Sequence, residues 1–307
     1  MTVKRDILAI LSYFDIFDYP VTQLEIAQFA RNTYSLEEIG SGLHGLTSQQ
    51  WIYKFGEFYT LQNNHDLVTR RKKGNAKARQ MLDTAEKVAA LLSSFPFVKG
   101  IAVSGSLSKN FADEDSDIDF FIITEKNRLW LARTALMMFR RLAVAFKKQH
   151  WLCLNYFIDE EMLEIEEKNI FTAIEIATLL PFRGIETFND FFKANQWNKN
   201  FLPNHALRVS YVEQARNPFL KRFLEFLFRN QFGALVDFLL MKWTAARFAR
   251  RVKRGKVNAK GYLYDLKISR HFAKHNPDLF QRKIIETYER KIFNLFRLYE
   301  NNAKTVF

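Results

Sequence analysis

The sequence has a single cysteine, Cys153, among 307 residues. One thiol excludes an internal disulfide and a cysteine-rich zinc site, so we expect a reducing, cytoplasmic environment. Long apolar runs are missing as well: the best candidate, residues 232–243, is 12 residues long and contains Asp237, too short and too polar to span a bilayer. The first 15 residues include acidic side chains and have no small-residue cleavage site, so we expect no signal peptide.

Negative charge is scarce in one part of the chain only. Residues 201–307 carry 22 Lys and Arg against 8 Asp and Glu, whereas the first 200 residues carry 24 against 25. The whole net charge of +13 therefore comes from the last third. An excess of this kind predicts a polyanionic partner or a phosphorylated substrate in that region.

Aromatic residues are plentiful, and Phe alone occurs 31 times in a chain that is 48% hydrophobic. This composition is typical of a globular protein with a large buried core. A chain of 307 residues is also long enough for two or three domains. The sequence contains no internal repeat and no low-complexity segment.

The most informative stretch is FVKGIAVSGSLSKNFADEDSDIDFFII, residues 97–123. An apolar run that predicts a buried strand ends at Gly105-Ser106, and a second apolar run begins around Asp117 and Asp119. Two residues apart on a strand, the two carboxylates point to the same side and repel each other unless a cation lies between them. Mg²⁺ accepts carboxylate oxygens and leaves positions open for phosphate oxygens.

The turn before the acidic pair offers groups that suit a phosphate chain. Gly105 permits close approach of the backbone, Ser106 and Ser108 provide hydroxyls, and Lys109 provides a positive charge. A helix that starts at this turn would also direct free N–H groups outward. We therefore predict a polyphosphate site at Gly105, Ser106, Ser108 and Lys109, next to metal ligands at Asp117 and Asp119.

Together these residues resemble the signature of the DNA polymerase beta-like nucleotidyltransferase superfamily. The pattern is Gly-Ser, a spacer of about ten residues, and Asp-apolar-Asp-apolar, which here reads Gly105-Ser106 and then Asp117-Ile118-Asp119-Phe120. The form is most like the minimal and antibiotic-modifying members. The resemblance implies two Mg²⁺ ions at the Asp pair, a nucleoside triphosphate as substrate, and pyrophosphate as leaving group.

The resemblance also implies a third carboxylate on a later strand, as a metal ligand or as the base. The predicted strand at residues 151–158 contains no acid, and its one strongly polar residue is Asn155. An amide can ligate a metal but cannot take a proton. Asn155 is then either the occupant of the third position or a buried amide bonded to backbone. Asp159, just past the strand, is the alternative third acid.

The first 61 residues predict three helices followed by a two-stranded hairpin around Gly56, which resembles a winged-helix domain. Residues 32–53 contain no Lys or Arg, which a helix needs to contact phosphates and base edges. We therefore expect that the domain does not read DNA sequence. It should pack against the catalytic domain or against a second subunit, in which case the protein is a homodimer.

Most of the remaining sequence predicts helices. We predict a long basic linking helix at 65–95, a further helix at 128–148, and a region at 206–307 that is helical nearly throughout. Residues 164–180 predict a short strand and then a helix ended by Pro181, in which Glu175 has a cap or salt-bridge role. Residues 183–204 predict a transition between domains. Within the region at 206–307, residues 247–256 carry six cations and one aromatic residue, with Tyr262 and Tyr264 following. Such a tract suits RNA or another polyanion, the rim of a nucleotide pocket, or a solvated surface.

The predicted fold class is α+β, with a small mixed sheet as the nucleotidyltransferase core. We predict a winged-helix-like domain at 1–64, a linking helix at 65–95, the nucleotidyltransferase core at 96–200 and a basic helical domain at 201–307. The predicted activity is transfer of a nucleotidyl group from Mg-NTP to an acceptor hydroxyl or phosphate. The alternatives are a weak or inactive nucleotide sensor that acts through the N-terminal domain, and a purely structural module.

Overall fold

The computed structural model describes residues 2–145, 152–205, 213–255, 266–275 and 277–305. The helices are α1 Val3–Asp15, α2 Gln23–Phe29, α3 Leu36–Ser48, α4 Asp66–Leu92, α5 Gly105–Ser108, α6 Leu129–Ala145, α7 Ile170–Thr178, α8 Ile185–Ala194, α9 Phe219–Phe228, α10 Gln231–Lys253 and α11 Pro277–Thr305. The strands are β1 Val21–Thr22, β2 Tyr53–Phe55, β3 Phe58–Thr60, β4 Val98–Val103, β5 Asp119–Thr124, β6 Cys153–Asp159, β7 Leu180–Arg183, β8 Leu266–Ile268 and β9 Phe272–His275.

The N-terminal region contains the predicted three helices and hairpin. Thr22 and Ser35 each begin a helix with a capping box, in which the Glu three residues later, Glu25 or Glu38, returns a hydrogen bond to the cap backbone. β1 pairs with the hairpin to give a three-stranded sheet of order β1-β3-β2. The core of this region continues into side chains of α7 and α11.

A six-stranded mixed sheet of order β7-β4-β5-β6-β9-β8 forms the centre of the molecule. β4 and β5 are antiparallel, whereas β5 and β6 are parallel and are joined by α6. Apolar side chains of α4 and α6 pack on one face of the sheet, and those of α7 and α8 on the other. The chain is therefore α+β, as the sequence predicts.

Three predictions about the secondary structure of the second half of the chain are wrong, and the first two concern residues 164–204. The helix expected to end at Pro181 ends at Thr178, and Pro181 lies instead in β7, an edge strand where a missing N–H is tolerated. The segment expected to be a transition, residues 183–204, contains α8 and a short 3₁₀ helix, Gln196–Asn200.

The third correction concerns the C-terminal part, which is not helical nearly throughout. β8 and β9 form a hairpin whose strand β9 pairs with β6, so this part of the chain completes the central sheet. Two sequence predictions lie outside the described residues. They are the position of Tyr262 and Tyr264 and the start of a strand at Trp151. Across the described ranges, no helix has the length and apolar content needed to cross a membrane.

Candidate active site

The Gly-Ser turn is held against the strand that carries the acidic pair. Ser104 donates its backbone N–H to the carbonyl of Asp119 at 2.9 Å, which joins the end of β4 to the start of β5. Gly105 follows with φ of +70°, and a Cβ built on it would lie 2.8 Å from Oδ2 of Asp119. A side chain at position 105 would therefore displace the carboxylate, and the left-handed backbone itself favours glycine.

The carboxylates of Asp117 and Asp119 both lie near the thiol of Cys153. Cys153 pairs with Asp119 across the parallel strands β5 and β6. Burial raises the pKa of Cys153, and a hydrogen bond to Asp119 and the nearby charge of Asp117 raise it further. Asp117 and Asp119 are both partly exposed. The acidic pair is therefore gathered at one end of β5 and β6, where solvent reaches it.

Asn155 lies at a β-bulge, an irregularity that the sequence did not predict. Leu154 pairs with Phe120, and Tyr156 pairs with Phe121, so Asn155 is an extra residue between them. A bulge redirects side chains and is common beside active sites. Here it brings Asn155 to the wall of the same cavity as Asp119.

The bulge also changes which side chains of β6 share a face. Strict alternation would place Phe157 beside Asn155 and Tyr156 on the opposite side. In the structure Tyr156 lines the cavity with Asn155, whereas Phe157 is fully buried with Leu154 in the core under α6.

The predicted phosphate groups do not all face the cavity. Ser106 is exposed on its wall, whereas Ser108 is buried and donates to the carbonyl of Gly105 at 2.9 Å. Nζ of Lys109 donates to that same carbonyl at 3.0 Å and forms an ion pair with Glu175 at 2.7 Å. The salt-bridge role expected for Glu175 is thus confirmed, and it restrains Lys109 at the cavity wall.

Asp159 does not reach the acidic pair. It pairs with Thr124 at the other end of the parallel strands, six residues along β6 from Cys153, or roughly 20 Å at 3.3 Å per residue. Its side chain is fully buried and accepts hydrogen bonds from the backbone of Asn127 and Glu161. The placement of Asp159 as a displaced third acid is therefore wrong, because its oxygens are committed elsewhere.

The cavity has a volume of about 570 Å³ and extends from Asp119 and the Gly-Ser turn toward the N-terminal region. Asp117 is not among its wall residues. Its cationic wall residues are Arg70, Lys109 and Lys274. Its aromatic wall residues are Tyr13, Phe14, Phe17, Tyr19, Phe111, Phe121, Tyr156, Phe171, Phe191 and Phe280. Sequence reasoning missed most of these residues, because α1, β9 and α11 are far from the Gly-Ser motif along the chain.

The N-terminal region closes one side of the cavity through specific contacts. The hydroxyl of Tyr19 donates to the carbonyl of Lys109 at 2.9 Å. Arg71 of the linking helix forms an ion pair with Glu25 at 2.7 Å and lies 3.9 Å from the ring centroid of Tyr19. The expected packing of this region against the catalytic core is confirmed, and it places α1 at the candidate site.

The oxygen groups present suit a hard cation such as Mg²⁺. Asp117 and Asp119 supply carboxylates, and Asn155 supplies an amide oxygen on the same cavity wall as Asp119. The described ranges contain no cluster of three or more His, Cys, Asp and Glu side chains arranged around one point. A metal here would consequently depend on the two aspartates and on phosphate oxygens of the substrate.

Comparison with known proteins gives one match. Residues 85–199 match the model of the nucleotidyltransferase domain family, a range that contains the Gly-Ser turn, the acidic pair and β6. No curated protein and no solved structure matches the chain. Residues 85–199 therefore match a nucleotidyltransferase domain, and the match supports the resemblance to the DNA polymerase beta-like superfamily.

Proposed function

We propose that the protein transfers a nucleotidyl group from an Mg-NTP to an acceptor hydroxyl or phosphate. The observation that carries the proposal is the approach of Asp119 to Gly105 at the wall of a 570 Å³ cavity. That arrangement puts a metal-ligating carboxylate directly against a turn with no side chain. A phosphate chain can then lie on the turn without steric hindrance.

The cavity walls support a nucleotide as the ligand. Arg70, Lys109 and Lys274 provide positive charge for the phosphates, and Ser106 offers an exposed hydroxyl. The aromatic side chains around the other end offer faces on which a base can stack, a contact worth about 1–3 kcal/mol per base. Pockets of about 300–1,000 Å³ are usual for ligands of this size.

Asp117 and Asp119 would hold the magnesium, and Asn155 would contribute its amide oxygen. When bound, Mg²⁺ neutralises charge on the phosphates during transfer. The hydrogen bond from Ser104 to Asp119 fixes the start of β5, where Asp119 lies two residues after Asp117. Two ions remain a prediction from the family resemblance.

Transfer requires an acceptor oxygen to attack the α-phosphorus while the bond to pyrophosphate breaks. The acceptor proton must leave, and Asn155 cannot take it. Glu175 is a carboxylate on the cavity wall, and its ion pair with Lys109 engages it in holding that lysine rather than in contacting an acceptor. Phosphoryl transfer depends mainly on positioning and charge stabilisation, so the proton can pass to solvent.

A polyanionic acceptor, RNA among the candidates, is supported by the cations near the metal end of the sheet. Arg140 donates to the carbonyl of Leu152 at 2.7 Å, beside Cys153. Burial lowers the pKa of Arg247 on α10, and the guanidinium groups of its neighbours Arg251, Arg141 and Arg250 lower it further. Like charges crowded in this way favour a polyanion that neutralises them.

The second candidate is a nucleotide sensor without turnover. It is favoured by Asn155, an amide on the same cavity wall as Asp119 that cannot act as the third acid implied by the family resemblance. The variant Asn155→Asp separates the two functions. In an enzyme limited by proton removal, the new carboxylate should raise turnover, since a general base contributes about 10²–10⁴-fold. In a sensor, it should leave turnover at background.

The test is incubation of the purified protein with Mg²⁺ and each NTP labelled at the α-phosphate, with and without RNA. We expect release of pyrophosphate and label attached to an acceptor. Asp117→Asn combined with Asp119→Asn should abolish both products. Asp115→Asn is the matched control, because Asp115 is exposed in the same loop two residues before Asp117. NTP binding without pyrophosphate release in any condition would favour the sensor.

A further inference from the structure

Helices α9 and α10 carry their polar residues inward and their apolar residues outward. In α9 the buried residues are the charged Lys221 and Glu225. In α10 they are Gly233, Asp237 and Thr244. A surface helix of a monomeric globular protein normally has the opposite arrangement, with its apolar stripe against the core.

Hydrogen bonds fix the orientation of α9. Nζ of buried Lys221 donates to the carbonyls of Ser93 and Val98 at 2.9 and 2.7 Å. The carboxylate of Glu225 accepts from the backbone N–H of Phe97 at 2.8 Å. Rotation of α9 to bury its apolar side would leave these groups unpaired in the interior, which is costly.

α10 is fixed in the same manner. Asp237 accepts from the backbone N–H of Leu131 at 2.8 Å, which ties the middle of α10 to α6. The guanidinium of Arg128 donates to the carbonyls of Phe228 and Asn230 in the connection between α9 and α10. The outward direction of the apolar residues is therefore built into the packing of both helices.

The α9–α10 apolar face consists of ten large side chains, each 43–78% exposed. It comprises Phe219, Leu220, Phe223, Phe226, Leu227, Phe232, Leu235, Phe238, Leu239 and Trp243. At 100° per residue, these positions lie opposite the buried side of each helix. α9 and α10 follow each other directly and pack together, as the stacked rings of Phe228 and Phe232 illustrate.

The size of this face corresponds to a protein interface. A buried aromatic side chain covers about 150–250 Å². At the observed exposures, the ten side chains therefore leave about 1,000 Å² accessible. The largest apolar patch of a typical monomer is about 300–600 Å², whereas a standard interface buries about 800 Å² on each partner.

We propose that the α9–α10 apolar face is the interface between two copies of this chain. A two-fold contact places the same patch on both subunits, so an apolar face needs no complementary partner other than itself. The cations Arg247, Arg250 and Arg251 follow Trp243 along α10 and lie beyond the apolar part. In an antiparallel pairing of the two α10 helices, the cationic ends lie far apart, which limits their mutual repulsion.

The test is the mass of the full-length protein in solution, measured by light scattering after size exclusion over a range of concentrations. We expect a dimer. The variants Phe219→Glu and Phe226→Glu together should give a folded monomer, because these two side chains are 75% and 78% exposed and introduce charge without disturbing the core. Phe293→Glu on α11 is the matched control, because Phe293 is 66% exposed outside this face and should leave the dimer intact.

A second measurement does not depend on destabilising the dimer. The only natural cysteine, Cys153, is half-buried, so single cysteines introduced at Leu220, Phe226 and Leu239 can be oxidised selectively. At least one of them should give a covalent dimer, whereas a cysteine at Phe293 should not. A wild-type monomer, a double variant that remains dimeric, or a monomer that sediments with anionic lipid vesicles would each overturn the proposal.

Discussion

The two ends of the β5–β6 strand pair carry carboxylates with different surroundings. At one end, Asp119 lines a cavity and lies against Gly105. At the other, Asp159 is fully buried and accepts hydrogen bonds from two backbone N–H groups and from His271 at 3.0 Å. Asp237 lies near Asp159 and is buried as well. We propose the first end as the ligand-binding end, whereas the contacts at the second end stabilise the fold.

Removal of Asp159 should have the largest effect on stability. In Asp159→Ala, the N–H groups of Asn127 and Glu161 and the ring of His271 lose their buried acceptor. Loss of one partner from a buried charged cluster costs about 3–5 kcal/mol. Urea unfolding should show this loss, whereas nucleotidyl transfer per folded molecule should be unchanged in the cold. If Asp159→Ala is folded but inactive, Asp159 contributes to activity, and the two ends of the β5–β6 pair do not have separate roles.

Asp237 should make the same end sensitive to pH. Burial raises its pKa to about 6, so the folded state binds a proton that the unfolded state releases near pH 4. The contribution of Asp237 to the free energy of unfolding is therefore highest at low pH, where Asp237 is protonated in both states, and it decreases as pH rises from about 4 to 6. At about 1.4 kcal/mol per pKa unit, the cost above pH 6 approaches 3 kcal/mol.

The variant Asp237→Asn should therefore be more stable than the wild type at pH 7.5, because the amide oxygen still accepts from Leu131. The advantage should shrink as pH falls toward 4, in unfolding experiments across that range. Asp190→Asn, at an exposed position on α8, is the control and should show no such trend. Equal stability of wild type and Asp237→Asn at all pH values would contradict the burial argument.

Gly105→Ala should damage the ligand-binding end with little effect on folding. The new Cβ would lie 2.8 Å from the carboxylate of Asp119, and displacement of a catalytic group by about 1 Å can cost about 10²-fold in rate. Gly56→Ala is the matched control, because Gly56 also has positive φ but no atom within 4 Å of its Cβ position. The two variants should lose similar stability, and only Gly105→Ala should lose turnover.

Local sequence predicted the ligand-binding end because its parts are close along the chain. Gly105, Ser106 and the acidic pair lie within 15 residues, and their spacing indicates both strands and the turn. The bulge at Asn155 could not be predicted, because it arises from the pairing of two strands rather than from residue type. The same is true of the β8–β9 hairpin, which is short and joins the sheet through a non-local contact.

Apolar periodicity also predicted helices in the C-terminal part, but it did not predict which side of each helix faces the core. The apolar stripe of α9 indicates a helix with one apolar side, a pattern that usually faces the core. The buried Lys221 and Glu225 reverse that direction, because both find backbone partners in the chain around residues 93–98. Such partners are set by tertiary contacts that no single stretch of sequence contains.

The smallest expected effect concerns the ion pair between Glu175 and Lys109. Glu175→Gln removes the charge that competes with phosphate for Lys109, so the KM for NTP should fall about three- to fivefold, or up to ~1 kcal/mol for a partly exposed pair. Glu164→Gln, which breaks the exposed pair with Lys168 outside this cavity, should leave KM unchanged. A rise in KM for Glu175→Gln would instead indicate that Glu175 positions Lys109 for the nucleotide.

The most direct test is calorimetric titration of the full-length protein with Mg²⁺ and a non-hydrolysable NTP. The proposal predicts binding that requires Mg²⁺ and is lost when Asp117→Asn and Asp119→Asn are combined, with Asp115→Asn retaining wild-type affinity. It also predicts that Asp159→Asn retains affinity, since that carboxylate lies at the far end of β6. Unchanged affinity in the double variant would contradict the assignment of the acidic pair as the metal and nucleotide site.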